Sequence, residues 1–171
     1  FELAVRAVLG QQVSVAAART LATRFLQRHG AALPEPIGPG LSVLFPSADS
    51  IAQADLDGLG ITGARIATIR AIAAGLSAGR IDFHAERTLD EFVARWVELP
   101  GIGAWTAHYI ALRARSHPDA FPAEDLILRR TLVPGTTLSA RQLTSHAEAW
   151  RPWRGYAVMH LWRHTTDEAS Q

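Results

Sequence analysis

No cysteine occurs among the 171 residues. Disulfides, iron–sulfur clusters and thiolate zinc sites are thereby excluded. No lysine occurs either, so all 17 formal side-chain cations are arginines. No apolar run approaches the roughly 18 residues that span a bilayer, and the sequence opens on no signal-peptide pattern. A cytoplasmic location with no membrane partner is the expectation. Period-two alternation, the mark of half-buried strands, is nowhere sustained. What is present is a hydrophobic fraction of 48% against 19% charged residues. That is a packed globule rather than a disordered chain, and the length suits one domain or two small lobes sharing a core.

FELAVRAVLGQQ reads as helix from its first residues, with Leu3, Val5, Ala7 and Val8 mostly on one side. The chain is therefore expected to start inside a longer protein. Residues 2–29 read as one long or two consecutive amphipathic helices, stopped at Gly30. Residues 33–46, with four prolines and two glycines, read as a loop. A short helix capped by Ser47 or Asp49 follows, then one beginning near Ile61 and ending near Gly75 or Gly79. Residues 88–98 form another, with Leu89, Phe92, Val93 and Trp96 on one face. A further helix runs through Arg115, EDLILRRTL begins the next, and residues 139–150 and 153–164 give two more around Pro152. The sequence reads as all-α, two helical lobes around a cleft. LDGLGITGARIATIRAIA (56–73) echoes LPGIGAWTAHYIALRA (99–114) too weakly to count as a repeat.

Net charge is only +1. Its distribution is uneven: residues 104–164 hold eight arginines and four acids, hence +4, and the remainder carries −3. A solvated surface would look the same, so charge alone decides nothing.

LPGIGAWTA is more pointed. Pro100 fixes φ, while Gly101 and Gly103 permit positive φ and close backbone approach. The helix that follows begins with N–H groups that lack internal partners, a site for an anion such as a DNA phosphate. Thr106 lies in that first turn. Carbonyls on the other side of the turn, those of Val97, Leu99 and Gly101, suit a structural Na+ or K+. An ordinary helix-to-helix turn would also carry GxG, and the spacing alone favours that reading.

LPGIGAWTAHYIALRA resembles the helix–hairpin–helix of the base-excision DNA glycosylase superfamily. AEDLILRR follows at the distance where that family carries its catalytic aspartate. WRPWRGYAVMHLW resembles the closing helix of the AlkA-type 3-methyladenine DNA glycosylase II group, and FELAVRAVLGQQVSVAAARTLATRF resembles its first helix in the catalytic part. The likeness covers almost all of residues 1–164, with four motifs in order. It implies a helix–hairpin–helix DNA glycosylase fold, with residues 1–171 as the helical catalytic region and the hairpin at about 92–115. In AlkA-type enzymes a β-rich lobe precedes this region. It further implies a monomer that removes alkylated purines such as 3-methyladenine or 7-methylguanine from double-stranded DNA by hydrolysis, with no required cofactor, associated with the nucleoid through DNA.

Sequence alone divides the acid's role evenly between Glu124 and Asp125. The family pattern puts its aspartate directly before the LIL run and so selects Asp125, for which an N-cap is the ordinary role. Trp105 and Tyr109, four apart on one helix, and Trp162 on the closing helix are candidates for a base pocket. Core packing is the competing role for each. Trp96, Trp150 and Trp153 are expected in the core or at an interface. Bifunctional family members resemble LPGxGxKTA, with a lysine that attacks the sugar; here Trp105 holds that position, implying a glycosylase without a lyase step. The family's intrusion wedge, often leucine, falls on Gln12, which two exposed polar residues in a loop would explain equally well. Arg154 reads as helix packing somewhat more than phosphate contact, and His160 with His164 as surface or core residues rather than metal ligands. Two other functions fit the same motifs: a related glycosylase for another base, such as mismatched thymine or uracil, and a non-catalytic DNA-binding module.

Overall fold

The chain divides into one unit of Phe1–Ala85 with Arg95–Ile102 and a second of Glu86–Ala94 with Gly103–Gln171. A computed structural model describes residues 1–85, 87–133 and 135–168, with side chains to 165.

In the first unit, α1 (Glu2–Leu9) buries Ala4, Val5, Ala7, Val8 and Leu9. Gly10 ends it, so residues 2–29 are two helices rather than one. Ser14 caps α2 (Val15–His29), its hydroxyl accepting the Ala17 N–H at 3.2 Å, and Gly30 ends that helix as its position suggested. The proline-rich loop is not wholly irregular: β1 (Ala31–Ala32) pairs antiparallel with β2 (Val43–Leu44). Strands of two residues are too short to leave an alternating pattern, so this small departure from an all-α chain was invisible in the sequence. Ser47 rather than Asp49 caps α3 (Ala48–Ala52), accepting from the Ser50 N–H at 3.2 Å.

α4 (Gly63–Ser77) turns Ile66, Ile69, Ile72 and Ala73 inward at helical spacing and packs against α1 and α3. Ile69, Ile72, Val5, Leu9 and Ile51 are completely buried, each worth about 1.5–3 kcal/mol in removal from water. α5 (Leu89–Val97) begins in the second unit and ends in the first; it buries Phe92 and Trp96 completely, which settles Trp96 as a core residue. Beyond it the chain turns sharply: the Leu99 N–H reaches the Trp96 carbonyl at 3.2 Å, and the Ile102 N–H reaches the Leu99 carbonyl at 3.1 Å. Gly101 sits at φ +78, and any Cβ there would collide with the Thr68 side chain on α4.

In the second unit, α6 (Ala104–Ala114) follows N-cap Gly103, which offers no side-chain cap. α7 (Leu126–Thr131) is short and packs against α8 (Ala140–Ala147) and α9 (Arg154–Glu168). α8 opens on a capping box, Ser139 with Gln142, and passes into a 3-10 turn over Glu148–Trp150. Phe92, Ile110, Leu128, Leu143 and Val158 are completely buried and form the core of this unit.

Gly101→Ala is expected to destabilise the fold by about 2–5 kcal/mol, since it adds left-handed strain and a clash with a buried threonine. Gly103→Ala, at φ −90 with open space around its Cβ position, is expected to cost under about 1 kcal/mol. Urea unfolding of both variants measures the contrast.

Candidate active site

Asp125 occupies the N-cap of α7, where its Oδ1 accepts the Leu128 N–H at 3.1 Å. The ordinary capping role is therefore real, but it uses only part of the carboxylate. Trp105 Nε1 donates to Oδ2 at 3.0 Å, and Trp162 Nε1 donates to Oδ1 at 3.2 Å. Asp125 is 9% exposed. Three elements thus converge on one acid: α6 supplies Trp105, α7 carries Asp125 at its head, and α9 supplies Trp162.

The rings form a continuous aromatic wall. Trp105 stacks on Tyr109 with centroids 5.3 Å apart and planes within 18°, as residues four apart on a helix can. Tyr109 leans against Trp162 at 6.0 Å. All three are half-buried, so neither indole is simply core: each keeps one edge on the carboxylate and some ring area accessible. Glu124 is exposed and faces a different space, a cavity of about 330 Å³ walled in part by His108, Phe121, Arg141 and Arg154. That cavity shares Trp105 with the acid site but takes in neither Asp125, Tyr109 nor Trp162.

The other residues singled out in the sequence fall as follows. Gly103 stands at the N-cap of α6 and gives it no side-chain cap. Thr106 is buried at 4% exposure, so its side chain is not presented to solvent. Gly101 and Gln12 belong to the first unit. Gln12 is exposed with φ 53, a left-handed conformation uncommon outside glycine. The Leu99 carbonyl accepts from Ile102, and the Gly101 carbonyl accepts from Gln11 Nε2 at 3.1 Å. Each keeps a second lone pair with which a cation could be held. Trp150 is half-buried against Phe121. Trp153, expected in the core or at an interface, is 57% exposed and meets Tyr156 edge-on, so it is not a core residue. His160 and His164 are exposed, and no cluster suited to a metal occurs among the described residues.

One pair was missed. Arg154 is buried and grips Asp119 through Nε to Oδ1 and Nη2 to Oδ2, both at 2.7 Å, which makes it a packing residue. Burial alone would raise the Asp119 carboxyl, but the hydrogen bonds and charge of Arg154, with the charge of Arg151, outweigh this and hold it below the usual carboxylate range. Beside this pair the Gly155 N–H meets the Pro118 carbonyl at 2.7 Å; a Cβ at 155 would strike that loop. Together these contacts seat the start of α9, and hence the helix that carries Trp162. Thirty-five residues separate Asp119 from Arg154, too far for any local pattern to reveal.

Residues 5–152 match the model of the HhH-GPD superfamily base excision DNA repair proteins. The chain belongs to the HhH-GPD superfamily. Among curated HhH-GPD relatives, the DNA-3-methyladenine glycosylase 2 of Escherichia coli is 36% identical over 168 residues, covering 95% of this chain and 56% of that protein. A protein of Mycobacterium tuberculosis named a probable bifunctional transcriptional activator/DNA repair enzyme AlkA is 42% identical, over 94% of this chain and 32% of its own length. The chain thus spans between a third and about half of these relatives. Among solved structures, the Schizosaccharomyces pombe 3-methyladenine DNA glycosylase Mag1 in complex with abasic DNA superimposes with a TM-score of 0.78 at 27% identity, covering 96% of this chain and 80% of that one. The all-α, helix–hairpin–helix glycosylase fold expected from the sequence is the one observed. No helix among the described residues is long and apolar enough to cross a membrane.

Two outcomes follow from the charges around Asp119 and His108. Asp119→Ala takes the bidentate partner from buried Arg154, leaving it, among the described residues, only the Glu148 carboxylate at 3.6 Å, and is expected to cost about 3–5 kcal/mol in denaturant unfolding, whereas Arg151→Ala, at an exposed guanidinium, costs under about 1 kcal/mol. Burial, then the charge of Arg154, pushes the His108 imidazole down to about 4. Its Nδ1 accepts the Phe121 N–H at 3.3 Å. The unfolded chain protonates this histidine near 6.5 while the folded chain resists until about 4, so folding stability should fall as the pH drops through that window. The loss approaches about 3 kcal/mol. His108→Gln should flatten this part of the pH–stability profile.

Proposed function

We propose that this chain removes alkylated purines, of the 3-methyladenine and 7-methylguanine kind, from double-stranded DNA by hydrolysing the N-glycosidic bond. The observation that carries the reading is the Asp125 carboxylate held between two indole N–H groups beside a stacked tyrosine. The names of the E. coli and S. pombe relatives agree with it.

The chemistry follows from the donors. A damaged nucleotide must leave the duplex stack to be reached. As its base departs, positive charge builds on the sugar, and a fixed carboxylate stabilises it. Three N–H donors orient Asp125 and occupy much of its capacity to take a proton, so electrostatic stabilisation suits it better than abstraction of a proton from water. An alkylated purine is cationic and already a good leaving group. The Trp105–Tyr109–Trp162 wall attracts it by roughly 0.5–2 kcal/mol through cation–π contact, and no dedicated general acid is required. No lysine is available in this chain to form a Schiff base, so the reaction ends at the abasic site.

The duplex is engaged by phosphate contacts at Gly101, Gly103 and the first turn of α6, with Gln12 as the wedge that fills the vacated stack. Val97, Leu99 and Gly101 would hold a monovalent cation through their carbonyls and so strengthen that contact.

Release of methylated purines from a dimethyl sulfate-treated duplex tests the proposal. Asp125→Asn should lower the single-turnover rate by about 100-fold or more while duplex binding and its decline with salt are retained. Binding by the unaltered chain with no release of methylpurine would overturn it and favour a glycosylase for another base or a binding module.

A further inference from the structure

Among the left-handed residues of the first unit are Gln12 at φ 53 and Gly101 at φ +78. They lie 89 positions apart, and one side chain joins their turns. Gln11 Nε2 donates to the Gly101 carbonyl at 3.1 Å. The carbonyl of Gln11 in turn accepts from the Arg65 guanidinium. That carbonyl belongs to the peptide linking Gln11 to Gln12, so its hydrogen bond fixes the plane from which the unusual φ of Gln12 is set. The Gln11 N–H closes the local turn on Val8 at 3.2 Å, and Ser14 begins α2 just beyond.

The second half of the arrangement is α4. Arg65 and Thr68 lie three apart and share a face of that helix. Arg65 holds the Gln11 carbonyl, and Thr68 packs so closely on Gly101 that no side chain is admitted there. Thr68 is 3% exposed and its own hydroxyl is tied back to the Ala64 carbonyl at 3.0 Å. One helix face therefore supports both turns, and the Gln11 amide closes the triangle between them. Only an amide of this length fits the task. A carboxylate at 11 would set oxygen against the Gly101 oxygen, and an aliphatic chain would leave that carbonyl without its donor.

We propose that Gln11 is a positioning residue that locks the wedge turn at Gln12 to the hairpin turn at Gly101, so that intrusion into the base stack and grip on the phosphate backbone move as one rigid element. The proposal rests on the function proposed above. Gln11 acts through Gln12, and its loss should uncouple intrusion from grip instead of weakening both.

The test uses Gln11→Leu, Gln12→Ala and the double variant of this chain. A duplex with 2-aminopurine beside a tetrahydrofuran abasic site reports unstacking by fluorescence, and its total binding and salt dependence report the phosphate grip. Gln11→Leu should keep the salt dependence within about 30% of the unaltered chain while the fluorescence rise falls at least threefold. Adding Gln12→Ala should then change fluorescence little further. If Gln11→Leu does not melt cooperatively, Gln11→Glu, of the same shape but without the N–H donors, takes its place with the same expected values. Equal losses of affinity and fluorescence, or fully additive effects of the two substitutions, would overturn the proposal. Because the signal comes from binding, failure of methylpurine release would refute the proposed reaction without touching this result.

Discussion

The carboxylate of Asp125 is held by neutral donors. Two indole N–H groups and one backbone N–H orient it, and none of them cancels its charge. Asp119, six positions earlier, is treated in the opposite way: a buried guanidinium grips it along both oxygens, and a second adds to it. The first arrangement leaves a negative field available to a cation forming nearby. The second spends the charge internally, in fastening the start of α9. One unit thus holds two aspartates in contrasting surroundings, and only the dipole-held one is suited to meet a substrate.

That division makes the Asp119–Arg154 pair a condition for the setting of Asp125. Trp162 reaches Asp125 from α9, and α9 is seated by Arg154 and by the close approach of Gly155 to the loop at 117–118. Trp105 reaches it from α6, whose Ala107, Ile110 and Ala111 are fully buried. The acid's two aromatic neighbours are therefore placed by features outside the Asp125 cluster itself, one ionic and one apolar.

Part of this was legible in the sequence where the information is local. The spacing of Trp105 and Tyr109 on one helix is a short-range pattern that points to the stack found; the residues alone left Glu124 and Asp125 even, and the family resemblance selected Asp125. Capping chemistry was equally local, although Ser47 and Asp49 could not be told apart until the hydroxyl was seen on the Ser50 N–H. Long-range pairings left no trace: Asp119 with Arg154, and Gln11 with Gly101, join residues 35 and 90 positions apart. Nor did the sequence show that Trp153 lies outside, since a tryptophan just ahead of a helix gives no sign of which way it faces.

α7 is six residues long, well under the length at which a helix persists in water unaided. Its integrity comes largely through Leu128, whose side chain is wholly enclosed and whose backbone N–H meets Asp125. A single residue is thus both anchor and gauge: whatever loosens the apolar packing around it is passed on to the carboxylate that caps it. The acid's aim is in effect calibrated against the hydrophobic interior, and modest slack in that packing would be felt at the carboxylate.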